Sequence, residues 1–149
     1  MTRPPNLLDD ETRARIEDLA RRMDARPGDV PELGFVRDDG FPSCWQAPDG
    51  SWHLMSRERG QVISDRVATD REEFVRIVAE QIAEMRAHRL HEPGTPDFRR
   101  AAWQEQYDAL GSVDRRWARQ WLDATRAELI SRGADAAVLG GLPSAEDSA

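Results

Sequence analysis

The residue types best suited to catalysis are few in this chain. Its single cysteine, Cys44, and one of its three histidines, His53, lie on the two strands of a predicted hairpin, where they can approach each other as a thiolate–imidazole pair. No helix N-terminus or cationic cluster lies near Cys44 to lower the pKa of its thiol, and the adjacent Trp45 is typical of a packed strand. We therefore predict a structural role for Cys44, with a hydrolase that uses Cys44 and His53 as an alternative.

A second kind of chemistry, metal binding, is suggested by two histidines near the end of a predicted helix. His88 and His91 lie three residues apart, with Glu84 one turn earlier. A mononuclear site needs three or four convergent ligands with supporting hydrogen bonds, and only His53 remains to contribute an imidazole from elsewhere. No glycine-rich phosphate loop is present, since the Gly140-Gly141 pair has no lysine after it. We predict no catalytic residues, no cofactor and no metal.

Two short blocks instead mix charged with aromatic side chains, as binding surfaces do. Residues 56–61 read Ser-Arg-Glu-Arg-Gly-Gln, and residues 97–106 read Asp-Phe-Arg-Arg-Ala-Ala-Trp-Gln-Glu-Gln. Aromatic and arginine side chains are frequent hot spots of protein interfaces. The residues predicted to contact a partner are Trp45, Trp52, Arg57, Glu58 and Arg59.

The charged turn also has a purely structural interpretation. Glu58 can cap backbone amides of the turn at Gly60, or it can form an ion pair with Arg99 or Arg100 of a later helix. Both interpretations stay open on the sequence alone.

The excess of acidic residues restricts the kind of partner. The 149 residues include 28 acids and 21 bases, all of them arginine, and the formal net charge is -7. This charge repels phosphate backbones and anionic membranes, and it attracts a basic protein. We therefore expect a protein partner, and neither a nucleic acid nor a membrane.

The location of the protein is predicted from its cysteine count and apolar patterning. One thiol cannot form an internal disulfide, which fits a reducing compartment. The N-terminal residues lack the apolar core of a secretion signal, and no stretch approaches the roughly 20 apolar residues of a membrane span. We expect a cytoplasmic protein.

Two helices are predicted in the first part of the chain. The first covers residues 9–25, with Asp9 or Asp10 as its N-cap. The second begins with a capping box at Thr69 and runs to about Arg89, because apolar residues recur at intervals of three and four.

Two more helices are predicted near the C-terminus. The third begins at residues 95–97, where a cap, a proline and an acid occur together. Gly111-Ser112 separates it from the fourth, which covers Val113 to Arg132. Trp103 and Trp117 lie on the apolar stripes of these helices and are expected to be structural.

Between the first two helices the pattern changes to short runs separated by turns. Residues 43–47 and 51–56 flank Asp49-Gly50, which is a strong hairpin signal. Gly60 can adopt the positive φ of a second turn, after which residues 61–68 alternate as a third strand. A small antiparallel meander is the expected result.

These elements predict an α+β fold in which an N-terminal helix precedes a small antiparallel β-meander and three C-terminal helices pack on it. Residues 29–40 form a loop with one short extended piece. Residues 1–133 are predicted to be a single domain, and residues 134–149 a flexible acidic tail.

The order and spacing of the motifs resemble the Immunity protein 63 family of bacterial polymorphic-toxin systems. In that family an extended segment ends in Glu-Arg-Gly, and a later helix carries Asp-x-Arg-Arg, an aromatic residue and then Gln. The resemblance spans roughly residues 43–132 and does not extend to the first 40 residues. The long second helix departs from the family pattern, because only Phe74 supplies an aromatic residue near its start. The motif residues are Gly60, Asp97, Arg99, Arg100, Trp103, Gln106 and Trp117.

The resemblance implies an immunity protein, which is a cytoplasmic antidote without catalytic activity. Such a protein binds a cognate toxin domain, for instance a basic nuclease, and neutralises it by occlusion. A protein–protein interaction or regulatory module unrelated to toxins is the alternative. The sequence carries no signature of an oligomeric state.

Overall fold

A short helix precedes a four-stranded sheet, and longer helices follow it. The computed structural model describes residues 6–144. It confirms the predicted α+β class, with an N-terminal helix, a small sheet and three long C-terminal helices. The elements are α1 Asp10–Arg22, a 3₁₀ turn Pro27–Asp29, β1 Glu32–Leu33, β2 Ser43–Gln46, β3 Trp52–Glu58, β4 Gln61–Ala68, α2 Arg71–Leu90, α3 Phe98–Val113, α4 Arg115–Ser131 and α5 Ala136–Leu139.

The sheet contains the predicted meander and one further strand. Its order is β1-β2-β3-β4, and β2, β3 and β4 pair antiparallel through the two predicted turns. The short extended piece expected in the 29–40 loop is β1, which pairs in parallel with β2 through Leu33 and Cys44. The sheet is therefore mixed. The loop between β1 and β2 is long enough to carry the chain back, so that both strands run in the same direction.

The long helix α2 forms the centre of the core. It contacts β3 and β4 on one side and α1 and α3 on the others. Phe74, Val75, Val78 and Ile82 have no measurable exposure. The sheet therefore has one face covered by α2; on its other face Ser43 and Met55 are buried, whereas Trp45 and His53 are partly exposed.

Two helix boundaries differ from those predicted. Asp70, and not Thr69, caps α2, because its carboxylate accepts a hydrogen bond from the amide of Glu73 at 2.8 Å. Helix α3 continues through Gly111-Ser112, where the Ser112 hydroxyl donates to the carbonyl of Ala109 within the helix. The break comes at Asp114, whose extended backbone ends α3 and caps α4.

Helix α3 also begins later than predicted. The backbone of Asp97 is left-handed, with φ of 62°, so residues 95–97 lie outside the helix, which starts at Phe98. The carboxylate of Asp97 makes no capping hydrogen bond. The hydroxyl of Thr95 instead donates to the carbonyl of Glu92 at 2.6 Å, which closes a turn before α3.

The segment predicted as a flexible tail lies partly outside the described residues, since 145–149 are not among them. Within the rest, Ala136–Leu139 form α5 and Leu142 is buried in the core. The domain end at residue 133 stays a prediction. Within residues 6–144, no helix combines the length and the apolar character that crossing a membrane requires.

An ion pair between the buried carboxylate of Asp29 and the more exposed Arg89 connects the 3₁₀ turn to the end of α2. The carboxylate accepts three hydrogen bonds from Arg89, at 3.0, 3.2 and 2.8 Å, and one from the amide of Arg26 at 2.9 Å. Burial by itself raises the pKa of Asp29, but these bonds outweigh burial and hold the pKa below the ordinary value of 3.8.

We expect an Asp29→Asn substitution to lower the free energy of unfolding at neutral pH by about 1–3 kcal/mol, the usual cost of losing a buried partner. Because the pKa of Asp29 is depressed in the folded state, its contribution is complete above the ordinary value of 3.8 and is lost as the pH falls through the folded-state value. Urea unfolding of both proteins should show a constant difference from neutral pH down to about pH 5, and a smaller one in stronger acid. Glu17→Gln, at an exposed position of α1, is the control; a pH-independent difference for Asp29→Asn would contradict the ion pair.

The Cys44 thiol is fully buried, and burial raises its pKa far above the ordinary value. Because the thiolate is the reactive form, we expect an alkylating reagent to modify the folded protein at least about a hundredfold more slowly than the urea-unfolded protein. Mass spectrometry of the time course measures both rates. Rapid labelling of the folded protein would show that Cys44 is accessible.

Candidate partner-binding surface

The alternation of side chains along β2 and β3 divides the predicted site residues between two faces. Cys44 pairs with Leu54, and Trp45 pairs with His53. Cys44 and Leu54 face the helices, whereas Trp45 and His53 face the other side. The Cys44–His53 pair that the sequence permitted is therefore not formed, because the two side chains lie on opposite faces of the sheet.

We call the side of the sheet away from α2 the open face, and define it by Trp45, His53, Asp65 and Val67. The rings of Trp45 and His53 stack with centroids 4.3 Å apart and planes 7° from parallel. The Nδ1 atom of His53 lies 3.0 Å from an oxygen of Asp65. The open face thus presents a fixed aromatic pair beside a carboxylate.

A hydroxyl at the edge of this face extends the network. The Ser51 hydroxyl lies 3.1 Å from Nε2 of His53, so Ser51, His53 and Asp65 are arranged like a nucleophile, a base and an orienting acid. However, the Ser51 hydroxyl donates to the Asp49 carboxylate at 2.6 Å, and the Ser51 amide donates to the same oxygen at 3.0 Å. A single hydroxyl hydrogen cannot also be given to His53, so this geometry favours closure of the hairpin turn.

Sequence reasoning missed this network. The sequence contained one indication of it. Ser51 and His53 are two residues apart in the predicted strand 51–56, and residues at that spacing lie on one face of a strand. The contribution of Asp65 depends on the register between β3 and β4, in which Asp65 lies opposite Met55 and diagonal to His53. Register between strands was not predictable at single-residue precision.

The turn between β3 and β4 consists of Arg59 and Gly60, both with positive φ, 52° and 78°. This conformation matches the twist of a two-residue hairpin turn. The carboxylate of Asp38 accepts the amide of Gly60 at 2.9 Å, and its oxygen lies 3.5 Å from Nε of Arg57. Asp38 therefore does what the structural interpretation assigned to Glu58, because a neighbouring segment places its carboxylate beside the turn.

The side chains of Glu58 and Arg59 are exposed. Within residues 6–144, no hydrogen bond or ion pair joins Glu58 to Arg99 or Arg100. The guanidinium of Arg99 lies 5.7 Å from the centre of the Trp103 ring instead. The turn is thus fixed by Asp38 while its two charged side chains stay available.

The five residues predicted to contact a partner do not form one patch. Trp45 belongs to the open face, and Arg57 lies on the same face by alternation from His53. Trp52 lies on the opposite face, where its ring centre is 6.2 Å from that of Phe74. Trp45 and the turn can therefore act together, whereas Trp52 packs on α2.

The later motif residues mainly organise α3. Gln106 is buried, and Trp103 and Trp117 pack against the core. Arg99 covers the Trp103 ring, while Arg100 is exposed.

The histidines near the end of α2 have separate contacts. The ring of His88 lies against Phe98, with centroids 5.4 Å apart, and His91 lies 3.4 Å from Glu105. In the part of the chain that the structure describes, no group of three or more His, Cys, Asp or Glu residues is arranged to hold a metal ion.

Comparison with known proteins places these motifs in a family. The family model described as Immunity protein 63 matches residues 49–127, just over half of the chain. The match includes β3, the Arg59-Gly60 turn, β4, α2, α3 and most of α4, and it begins after Trp45. Comparisons with curated proteins and with solved structures gave no match. The chain belongs to the Immunity protein 63 family.

Proposed function

We propose that this protein is an immunity protein that binds one cognate toxin domain and neutralises it by non-catalytic occlusion. The observation that carries the proposal is the family match across residues 49–127. Those residues include the β3–β4 hairpin, in which Glu58 and Arg59 of the turn are exposed.

The proposed contact surface consists of the open face together with Arg57, Glu58 and Arg59. The Trp45–His53 stack supplies a rigid aromatic surface, which costs little conformational entropy when a partner covers it. The turn supplies charges of both signs at the rim, where they favour the correct register and partner.

The net charge of -7 favours a basic toxin, such as a nuclease, over an acidic one. Attraction between opposite charges raises the rate at which the two proteins meet.

We further propose that the protein acts in the cytoplasm and that residues 1–133 suffice for binding. A toxin-independent interaction module is the second candidate; co-expression with the toxin encoded beside this gene distinguishes the two, because only an immunity protein restores survival.

Exchange of the two charges at the turn tests the surface. The double substitution Glu58→Arg with Arg59→Glu leaves the net charge unchanged, and neither side chain makes a hydrogen bond to any of residues 6–144. We expect it to weaken toxin binding about tenfold or more, measured by titration calorimetry, with an unchanged melting temperature.

The matched control exchanges Arg119 and Asp123, two exposed residues one turn apart on α4. This control should bind like the wild type. Equal affinity for wild type and the turn variant would place the contact on another surface.

Stoichiometry tests the non-catalytic mechanism. Occlusion requires one immunity protein for each toxin molecule, so residual toxin activity should fall linearly and reach zero near equimolar protein. Ser51→Ala should give the same titration, because Ser51 only closes a turn. Inactivation of excess toxin by a trace of protein, abolished by Ser51→Ala, would identify a catalytic mechanism instead.

A further inference from the structure

Strand β4 is the outer strand of the sheet and is exposed over most of its length. Residues 61–67 are all exposed, with Val62, Ile63 and Val67 at 57%, 60% and 48%. Apart from its pairing with β3, no backbone hydrogen bond of 61–68 to another element is found within residues 6–144. At about 3.4 Å per residue, the strand offers an edge about 27 Å long.

The features that usually block pairing at a sheet edge are scarce on β4. Proteins protect edges with prolines, lysines, bulges or free charges. This strand has no proline, and its bulge, at Ile63 between the Ser56–Ser64 and Arg57–Val62 pairs, lies towards the turn end of the strand. Its two charges are already engaged, since Asp65 bonds to His53 and Arg66 pairs with Glu80.

We propose that β4 is a docking edge for an extended segment of the toxin domain, which adds a fifth strand to the sheet. This inference rests on the proposed function and specifies how the partner is recognised. Backbone hydrogen bonds along β4 would supply affinity, and alternate side chains would supply specificity. The segment should carry apolar residues beside Val67 and a basic residue beside Asp65.

Charge favours a toxin strand over a second copy of this chain. If two copies paired through β4 about a two-fold axis, their sheets would join into one continuous sheet. Residues opposite each other across the new edge would then lie on the same face. Centring the axis on Asp65 or on Arg66 sets two like charges opposite each other, whereas centring it on Ser64 does not. In every register, two copies would bring together two net charges of -7. A basic strand from another protein avoids this repulsion.

The test introduces a charge on the docking edge and an identical one elsewhere. Ile63→Lys adds an edge-blocking charge to β4, and Ile130→Lys adds the same charge to α4 at a residue of similar exposure, 56%. The probe is the purified, catalytically inactivated toxin domain encoded beside this gene. We expect Ile63→Lys to weaken binding roughly tenfold or more, with Ile130→Lys close to wild type and both variants melting normally.

Hydrogen exchange of the wild-type protein provides a second measurement. Contact through side chains alone would not slow the exchange of the β4 amides. The amides of 61–68 that point away from β3 should exchange more slowly in the complex than in the free protein, because a new strand accepts their hydrogen bonds. Binding without slowed exchange in β4, or wild-type affinity of Ile63→Lys, overturns the docking edge while immunity through the turn stands. Slowed exchange that depends on protein concentration without toxin would assign β4 to self-pairing, which also overturns it. Absence of any binding by the wild type overturns the proposed function and this inference together.

Discussion

The burial of α2 is the constraint on which the rest of the structure depends. A helix whose aliphatic and aromatic side chains are covered by β3, β4, α1 and α3 cannot shift without exposing apolar area to water. Ion pairs secure the same arrangement at its ends: Arg15 of α1 pairs with Glu72, and Arg89 pairs with Asp29. Because α2 covers only one face of the sheet, it also decides which side chains of the meander stay available.

Because side chains alternate between the two faces of a strand, the position of α2 also determines which side chains lie on the open face. Neighbouring residues point to opposite faces, so Cys44 and Trp52 join the core while Trp45 and His53 form the open face. The same alternation separates the thiol from the imidazole and removes the nucleophile that the sequence permitted. The open face carries the aromatic stack and the hydrogen-bonded carboxylate, and the exposed edge of β4 adjoins it.

The β3–β4 hairpin combines a fixed backbone with exposed side chains at its turn. Asp38 fixes the turn from a neighbouring segment and Asp49 closes the preceding turn, while the side chains of Glu58 and Arg59 are exposed and make no hydrogen bond or ion pair within residues 6–144. A preorganised surface loses little entropy when a partner binds, which is the condition for high affinity from a small interface. The hairpin lies within the residues that match the Immunity protein 63 family.

The sequence alone accounts for the α+β class, the meander and its two turns, the N-terminal helix and the three long C-terminal helices, because periodicity, capping residues and Asp-Gly or Arg-Gly turns act over a few residues. The same short-range motifs, Glu58-Arg59-Gly60 and Asp97 to Gln106, led to the family. Only the tertiary structure decided that β1 joins the sheet in parallel, that Asp38 caps the turn, that Ser51, His53 and Asp65 share a network, and that Trp52 faces α2. These depend on strand register and on contacts between residues distant in sequence, where a shift of one residue reverses the face of every side chain.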